Sequence, residues 1–125
     1  MDKSLSFEVI GCAMRVHHNL GPGLLESIYE KAMMIELKRK GIAAVNQVPV
    51  RVMYKGEDLG EGLRLDILVN DELIVELKSV EELRPIHFKQ LQTYLKVTNK
   101  RLGLLINFNE NDVMDGVHRV ISDNY

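Results

Sequence analysis

A single cysteine, no tryptophan, three prolines and a net charge of only −2 leave this 125-residue chain short of most specialised features. Each shortage removes a class of protein. Cys12 has no partner for an internal disulfide, and no C-x-x-C or Cys/His cluster suggests a zinc site. Its apolar surroundings make it a small buried filler. No stretch approaches the roughly 18 apolar residues of a spanning helix. No secretory signal is visible, so no membrane association is expected and the cytoplasm is the default location. A pI near 6.1 argues against a strongly basic nucleic-acid coat protein. Gly21-Pro22-Gly23 lacks the G-x-G-x-x-G spacing and follows no strand, which leaves a dinucleotide-dependent oxidoreductase without support. Repeats, low-complexity tracts and linkers are also missing, so residues 1–125 are expected to form a single domain.

What is present is an ordinary globular balance, 46% apolar and 27% charged, with enough chain for a modest core. Residues 5–18 suit a first helix, with Phe7, Ile10, Met14 and His17 or His18 along one flank. The Asn19-to-Gly23 break ends it. A second helix is expected from Pro22 or Gly23 to Lys40, closed by Gly41, with an apolar stripe of Leu24, Leu25, Ile28, Ala32, Ile35 and Met33. A strand over residues 45–54 contains Pro49 at an edge or bulge. Residues 55–60 read as a connecting turn. Two strands follow, then a third helix from Pro85 to Val97, a short strand over 102–107 and a last one over 116–122. The order is α-α-β-β-β-α-β-β, which implies an α/β (α+β) fold with a mixed central sheet flanked by helices.

The two middle strands carry the chemistry. Asp66 and Glu76 are ten residues apart, and Lys78 follows two positions later. Asn70-Asp71-Glu72 reads as a turn. A three-residue loop pairs Val69 with Leu73, Ile67 with Val75 and Leu65 with Leu77. That register joins the apolar sets and sets Asp66 opposite Glu76 and Arg64 opposite Lys78. A two-residue loop would split the apolar faces. The expected hairpin has one apolar face and one face bearing Arg64, Asp66, Glu76 and Lys78. Cross-strand salt bridging on a solvated face would use the same residues. The sharper reading is two carboxylates converging on a divalent cation with an ammonium beside them.

Other polar residues can join this face. Glu26 lies in the first turn of the second helix, where an acid suits the helix dipole and can also point at a cation. Tyr29, one turn on, either hydrogen-bonds the site or packs with its hydroxyl in water. His87, Gln90 and Tyr94 form a polar stripe on the third helix, beside an apolar stripe of Phe88, Leu91 and Leu95 that should face the sheet. His87 reads as a boundary residue rather than a ligand. An amide and a phenol at 90 and 94 can orient a phosphate or a carboxylate. His17 and His18 point about 100° apart and stay outside the site. Lys38-Arg39-Lys40 suits a helix C-terminus, with contact to a phosphate backbone as a second use.

Gly23-Leu24-Leu25-Glu26-Ser27-Ile28-Tyr29 fits the G-x-x-E-x-x-Y signature of the GxxExxY proteins. Arg64-Leu65-Asp66 followed by Ile74-Val75-Glu76-Leu77-Lys78 resembles the core of the PD-(D/E)xK nuclease superfamily. Gln90-Leu91-Gln92-Thr93-Tyr94 resembles the Q-x-x-x-Y motif of its RecB-like branch. The likeness spans about residues 6–121. It departs from the superfamily's name at one place, Leu65, where proline would stand. The resemblance implies a restriction-endonuclease-like core of a helix, three strands, a helix and a strand, which fits from Gly23 onward. It implies Mg²⁺ or Mn²⁺ held by Glu26, Asp66, Glu76 and the Leu77 carbonyl. Lys78 would position the attacking water, and Gln90 and Tyr94 would shape the pocket. The expected activity is metal-dependent phosphodiester hydrolysis of nucleic acid, DNA before RNA. The alternative is an inactive nuclease-fold module that binds nucleic acid or a protein. A homodimer would let two copies reach both strands of a duplex.

Overall fold

The first two helices separate because Gly21 and Gly23 take positive φ, 74° and 98°, a region that glycine enters without steric cost. The computed structural model describes residues 2–124, with side chains from Leu5 onward. Its elements are α1 (Asp2–Leu20), α2 (Glu26–Arg39), β1 (Ala44–Tyr54), β2 (Glu57–Val69), β3 (Leu73–Lys78), α3 (Pro85–Thr98), β4 (Leu102–Asn107), a 3-10 turn (Val113–Gly116) and β5 (Val117–Ile121). The expected order holds, with the 3-10 turn added. Helix α2 starts at Glu26 instead of Pro22 or Gly23, since Leu25 is still extended. The turn expected over 55–60 shrinks to Lys55-Gly56, both at positive φ (49° and 82°), and β2 takes up the rest.

The sheet order is β1-β2-β3-β4-β5. All neighbours are antiparallel except β3 and β4, which run parallel with α3 as the crossover. Pro49 lies on the edge strand β1, where its missing N–H need not break a ladder.

Helices cover both faces. On one, α1 and α2 bury Val9, Cys12, Ala13, Val16, Tyr29, Met33 and Leu37 against Ile67, Val75, Leu77 and Leu104. On the other, Leu91 and Leu95 of α3, with Phe88 packed beside them, meet Leu65, Leu68, Ile74 and Leu105. Each such aliphatic side chain contributes roughly 1.5–3 kcal/mol by leaving water. Gly103 lets α3 lie close, because a Cβ there would stand 2.9 Å from Leu91 Cδ1.

This packing corrects three expectations. Phe7 and Met14 of α1 are exposed, because the smaller side chains Cys12 and Ala13 take the contact face. In α2 the inward stripe is Tyr29, Met33 and Leu37, spaced i, i+4, i+8, while Leu24, Leu25, Ile28 and Ile35 are exposed. The second face of the β2–β3 hairpin is not a solvated polar face, since Leu68 and Ile74 are buried under α3.

Candidate active site

The turn Asn70-Asp71-Glu72 gives the expected three-residue loop, with Asn70 and Asp71 at φ 52° and 55°. The ladder then runs Val69–Leu73, Leu68–Ile74 and Ile67–Val75, and stops. Beyond it, side chains replace the backbone partners. The Asp66 N–H donates to Glu76 Oε2 at 3.0 Å, and the Leu77 N–H donates to Asp66 Oδ2 at 2.8 Å. The expected Leu65–Leu77 and Arg64–Lys78 pairs are not formed. On the other side of β2 the pairing also skips a step. Gln47, at φ 53°, stands between the Asn46–Ile67 and Val48–Leu65 pairs, across from Asp66. The in–out alternation slips here, so Leu65 packs under α3 with Leu68 instead of sharing a face with Ile67. Arg64 turns away to an exposed ion pair with Glu61 at 2.6 Å.

Each carboxylate is therefore held by one oxygen on the backbone of the opposite strand, Glu76 at Asp66 and Asp66 at Leu77. Glu76 is only 5% exposed. Burial first, then the charge of Asp66, pushes its acid up to about 8, against the opposing pull of the Asp66 N–H and of Lys78. Asp66 is also raised, by burial first. The Leu77 N–H and Lys78 oppose this, while the acids Glu30 and Glu26 add to it. The pair thus holds a proton that it would release to a cation.

The remaining expected residues surround the pair unevenly. Lys78 is half-buried and favours the ionised form of both carboxylates, yet it makes no ion pair among the described residues. Glu26 is exposed and reaches Asp66 through its charge alone. Tyr94 is half-buried, and burial first, then the charges of Glu76 and Asp66, raise its phenol. It stays protonated beside the acids. Gln90, one turn earlier on α3, is exposed. Leu77 enters through its N–H, bonded to Asp66.

Sequence reasoning missed several supports. Glu30, one turn beyond Glu26 on the same helix face, adds its charge to Asp66 ahead of Glu26. Its carboxylate accepts from Asn46 Nδ2 at 3.0 Å and Gln47 Nε2 at 2.7 Å. That i+4 spacing was the available signal. Tyr29 faces the core and stacks on Phe108, centroids 4.5 Å apart. Its hydroxyl donates to the Gly21 carbonyl at 2.6 Å and accepts from the Leu24 N–H at 3.1 Å. It neither bonds the carboxylates nor reaches water. It ties down the loop that presents Glu26. Ser79 Oγ donates to the Leu24 carbonyl at 2.6 Å, joining that loop to the end of β3. Asn107, fully buried, accepts from the Val80 N–H at 3.1 Å and donates to the Val80 carbonyl at 3.0 Å, which pins the chain just after Lys78. His87 caps α3 by accepting from the Arg84 N–H at 2.9 Å.

Among the described residues, no three His, Cys, Asp or Glu side chains converge closely enough to hold a metal ion together. The Asp66–Glu76 pair still fits a hard divalent cation. Mg²⁺ binds through one or two carboxylates and keeps several waters. Two crowded, partly desolvated carboxylates, both raised by burial first, are the donor set such an ion would favour.

The family profile of the PD-(D/E)XK nuclease superfamily matches residues 3–120. No curated protein matches the chain. Among solved structures, that of SSO0001 is similar with a TM-score of 0.59 and 20% identity, covering 78% of this chain and 50% of that one. An alkaline exonuclease (LHK-Exo) from Laribacter hongkongensis is similar with a TM-score of 0.55 and 16% identity, covering 78% of this chain and 56% of its own. The shared region is about half the length of each of these structures. At such identities the likeness shows the fold, a restriction-endonuclease-like mixed sheet flanked by helices.

Proposed function

The chain belongs to the PD-(D/E)XK nuclease superfamily, and from that premise we propose that it is a metal-dependent phosphodiesterase acting on nucleic acid, DNA before RNA, built as a single nuclease-like domain of the GxxExxY group within the RecB-like branch. The observation that carries this reading is the juxtaposition of the two acids, Glu76 accepting from the Asp66 N–H and Asp66 from the Leu77 N–H, with Lys78 next in the chain. Asp66 and Glu76 would hold Mg²⁺ or Mn²⁺, with the Leu77 carbonyl as a further donor and Glu26 completing the charge. When bound, the cation supplies a water of lowered pKa and offsets charge building on the phosphate. Lys78 orients that water and stabilises the phosphate in the transition state. Tyr94, kept protonated, donates toward the carboxylates or the phosphate, and Gln90 flanks the scissile group with an uncharged amide. Tyr29 and Ser79 hold the Glu26 loop against the end of β3.

The test is cleavage of single-stranded and duplex DNA and RNA with Mg²⁺ or Mn²⁺. Loss of a positioned catalytic group is expected to slow Lys78→Ala by about 10²–10⁴-fold. Equal rates for parent and variant would refute the assignment. The lack of a third converging acid favours one competing reading, a nuclease-fold module without catalysis. Retained nucleic-acid or protein binding with no Mg²⁺ or Mn²⁺ binding at millimolar levels would establish it.

A further inference from the structure

Beyond the carboxylate pair, on the far side of α3, an open groove of about 590 Å³ runs between that helix and β5. Lys89, Thr93 and Lys96 line it from the helix and Arg119 from the strand. None of the three cations forms an ion pair among the described residues. Helix α3 contains no acid at all, whereas solvated helices usually set glutamates and lysines one turn apart. Asp123 is the single acid on the groove wall. In a chain of net charge −2, three unpaired cations in one groove are a local excess of positive charge.

We propose that this groove is a track for the sugar–phosphate backbone of a nucleic-acid strand that leaves the carboxylate pair across α3. The helix makes the connection. Tyr94 packs against the Leu65, Leu68 and Ile74 cluster on the two strands that carry the acids, Gln90 and Thr93 lie on the exposed ridge, and Lys89 and Lys96 stand beyond. Lys89 and Lys96 are seven residues apart, so they lie on one side of the helix about 10 Å apart along its axis. That distance spans roughly three nucleotides of stacked strand. Gln92 keeps the far wall in place. Its Nε2 donates to the Ile121 carbonyl at 2.7 Å, and its Oε1 accepts from the Asp123 N–H at 3.0 Å. The proposal rests on the nuclease reading for the identity of the strand but not on catalysis.

The experiment measures binding of labelled single-stranded and duplex oligonucleotides by fluorescence anisotropy in EDTA, across a salt series. The parent is compared with Lys89→Ala/Lys96→Ala/Arg119→Ala and with Arg51→Ala/Lys55→Ala, two exposed cations of the β1–β2 hairpin. Three lost phosphate contacts are expected to flatten the slope of log K against log salt by about 2 on single strands and about 3 on duplex, and to weaken binding by roughly 100-fold or more at 0.1 M salt. Circular dichroism of the triple variant, matched to the parent, separates this from misfolding, and Lys96→Glu alone gives a milder loss in the same direction. The Arg51/Lys55 variant is expected to bind as the parent does. Unchanged affinity and slope in the triple variant would overturn the proposal. So would an equal loss in the Arg51/Lys55 variant, or a parent that binds an acidic peptide but no oligonucleotide. Oligonucleotide binding that falls in the triple variant, without cleavage by the parent, would sink the nuclease reading and keep the track.

Discussion

Replacing Glu76 by glutamine should make the metal-free protein more stable at high pH while abolishing its response to metal. The parent side chain is 5% exposed and its acid is raised from 4.5 to about 8. Between those values the folded state binds the proton that the unfolded state has released. Stability from this group is therefore complete below pH 4.5 and is lost as pH rises through 8. At about 1.4 kcal/mol per pH unit the loss is on the order of 5 kcal/mol, a large share of a small domain's total. In the variant the amide oxygen still accepts from the Asp66 N–H, and its nitrogen donates to the Asp66 carboxylate without titrating. Urea unfolding at pH 5, 7 and 9 reads the effect. At ~2 kcal/mol per molar urea, the parent midpoint in EDTA should drop by roughly 2 M from pH 5 to 9, and the variant should hold steady. Mg²⁺ at tenfold over a millimolar Kd should return about 1.4 kcal/mol to the parent at pH 9 and nothing to the variant. A parent whose stability rises from pH 5 to 9, or two parallel profiles, would show that the carboxylates do not crowd each other as described.

Two further outcomes follow from the supports of the site. Tyr29→Phe keeps the stack on Phe108 but strands the Gly21 carbonyl and Leu24 N–H partners, and should cost about 1–3 kcal/mol in thermal or urea unfolding. A loss smaller than 0.5 kcal/mol, on the same scale, would mean that water replaces the hydroxyl. Asn107→Ala removes a fully buried amide that holds both polar groups of Val80. It should destabilise by roughly 2–4 kcal/mol and lower cleavage more than Lys89→Ala does, since it frees the segment next to Lys78. Normal cleavage in a folded Asn107→Ala protein would show that this anchor does not position the lysine.

Local chemistry was enough for the β2–β3 connection. Asn70-Asp71-Glu72 tolerates positive φ, and alternation on either side admits one register that joins apolar to apolar, which brings Asp66 to Glu76. The bounds of β4 and the start of α3 at Pro85 were legible for the same reason, because apolar runs and proline act on nearest neighbours. Tertiary structure decided the rest. Both α1 and α2 carry more than one apolar stripe, and only the close approach of the helices to the sheet selects Cys12–Ala13 and Tyr29–Met33–Leu37. The opening of the ladder after Ile67–Val75 was equally hidden, because it depends on carboxylates that take over the backbone's hydrogen bonds. Sequence spacing determined which acids meet. The fold determined that they meet largely out of water, where a shared proton or a cation relieves their repulsion.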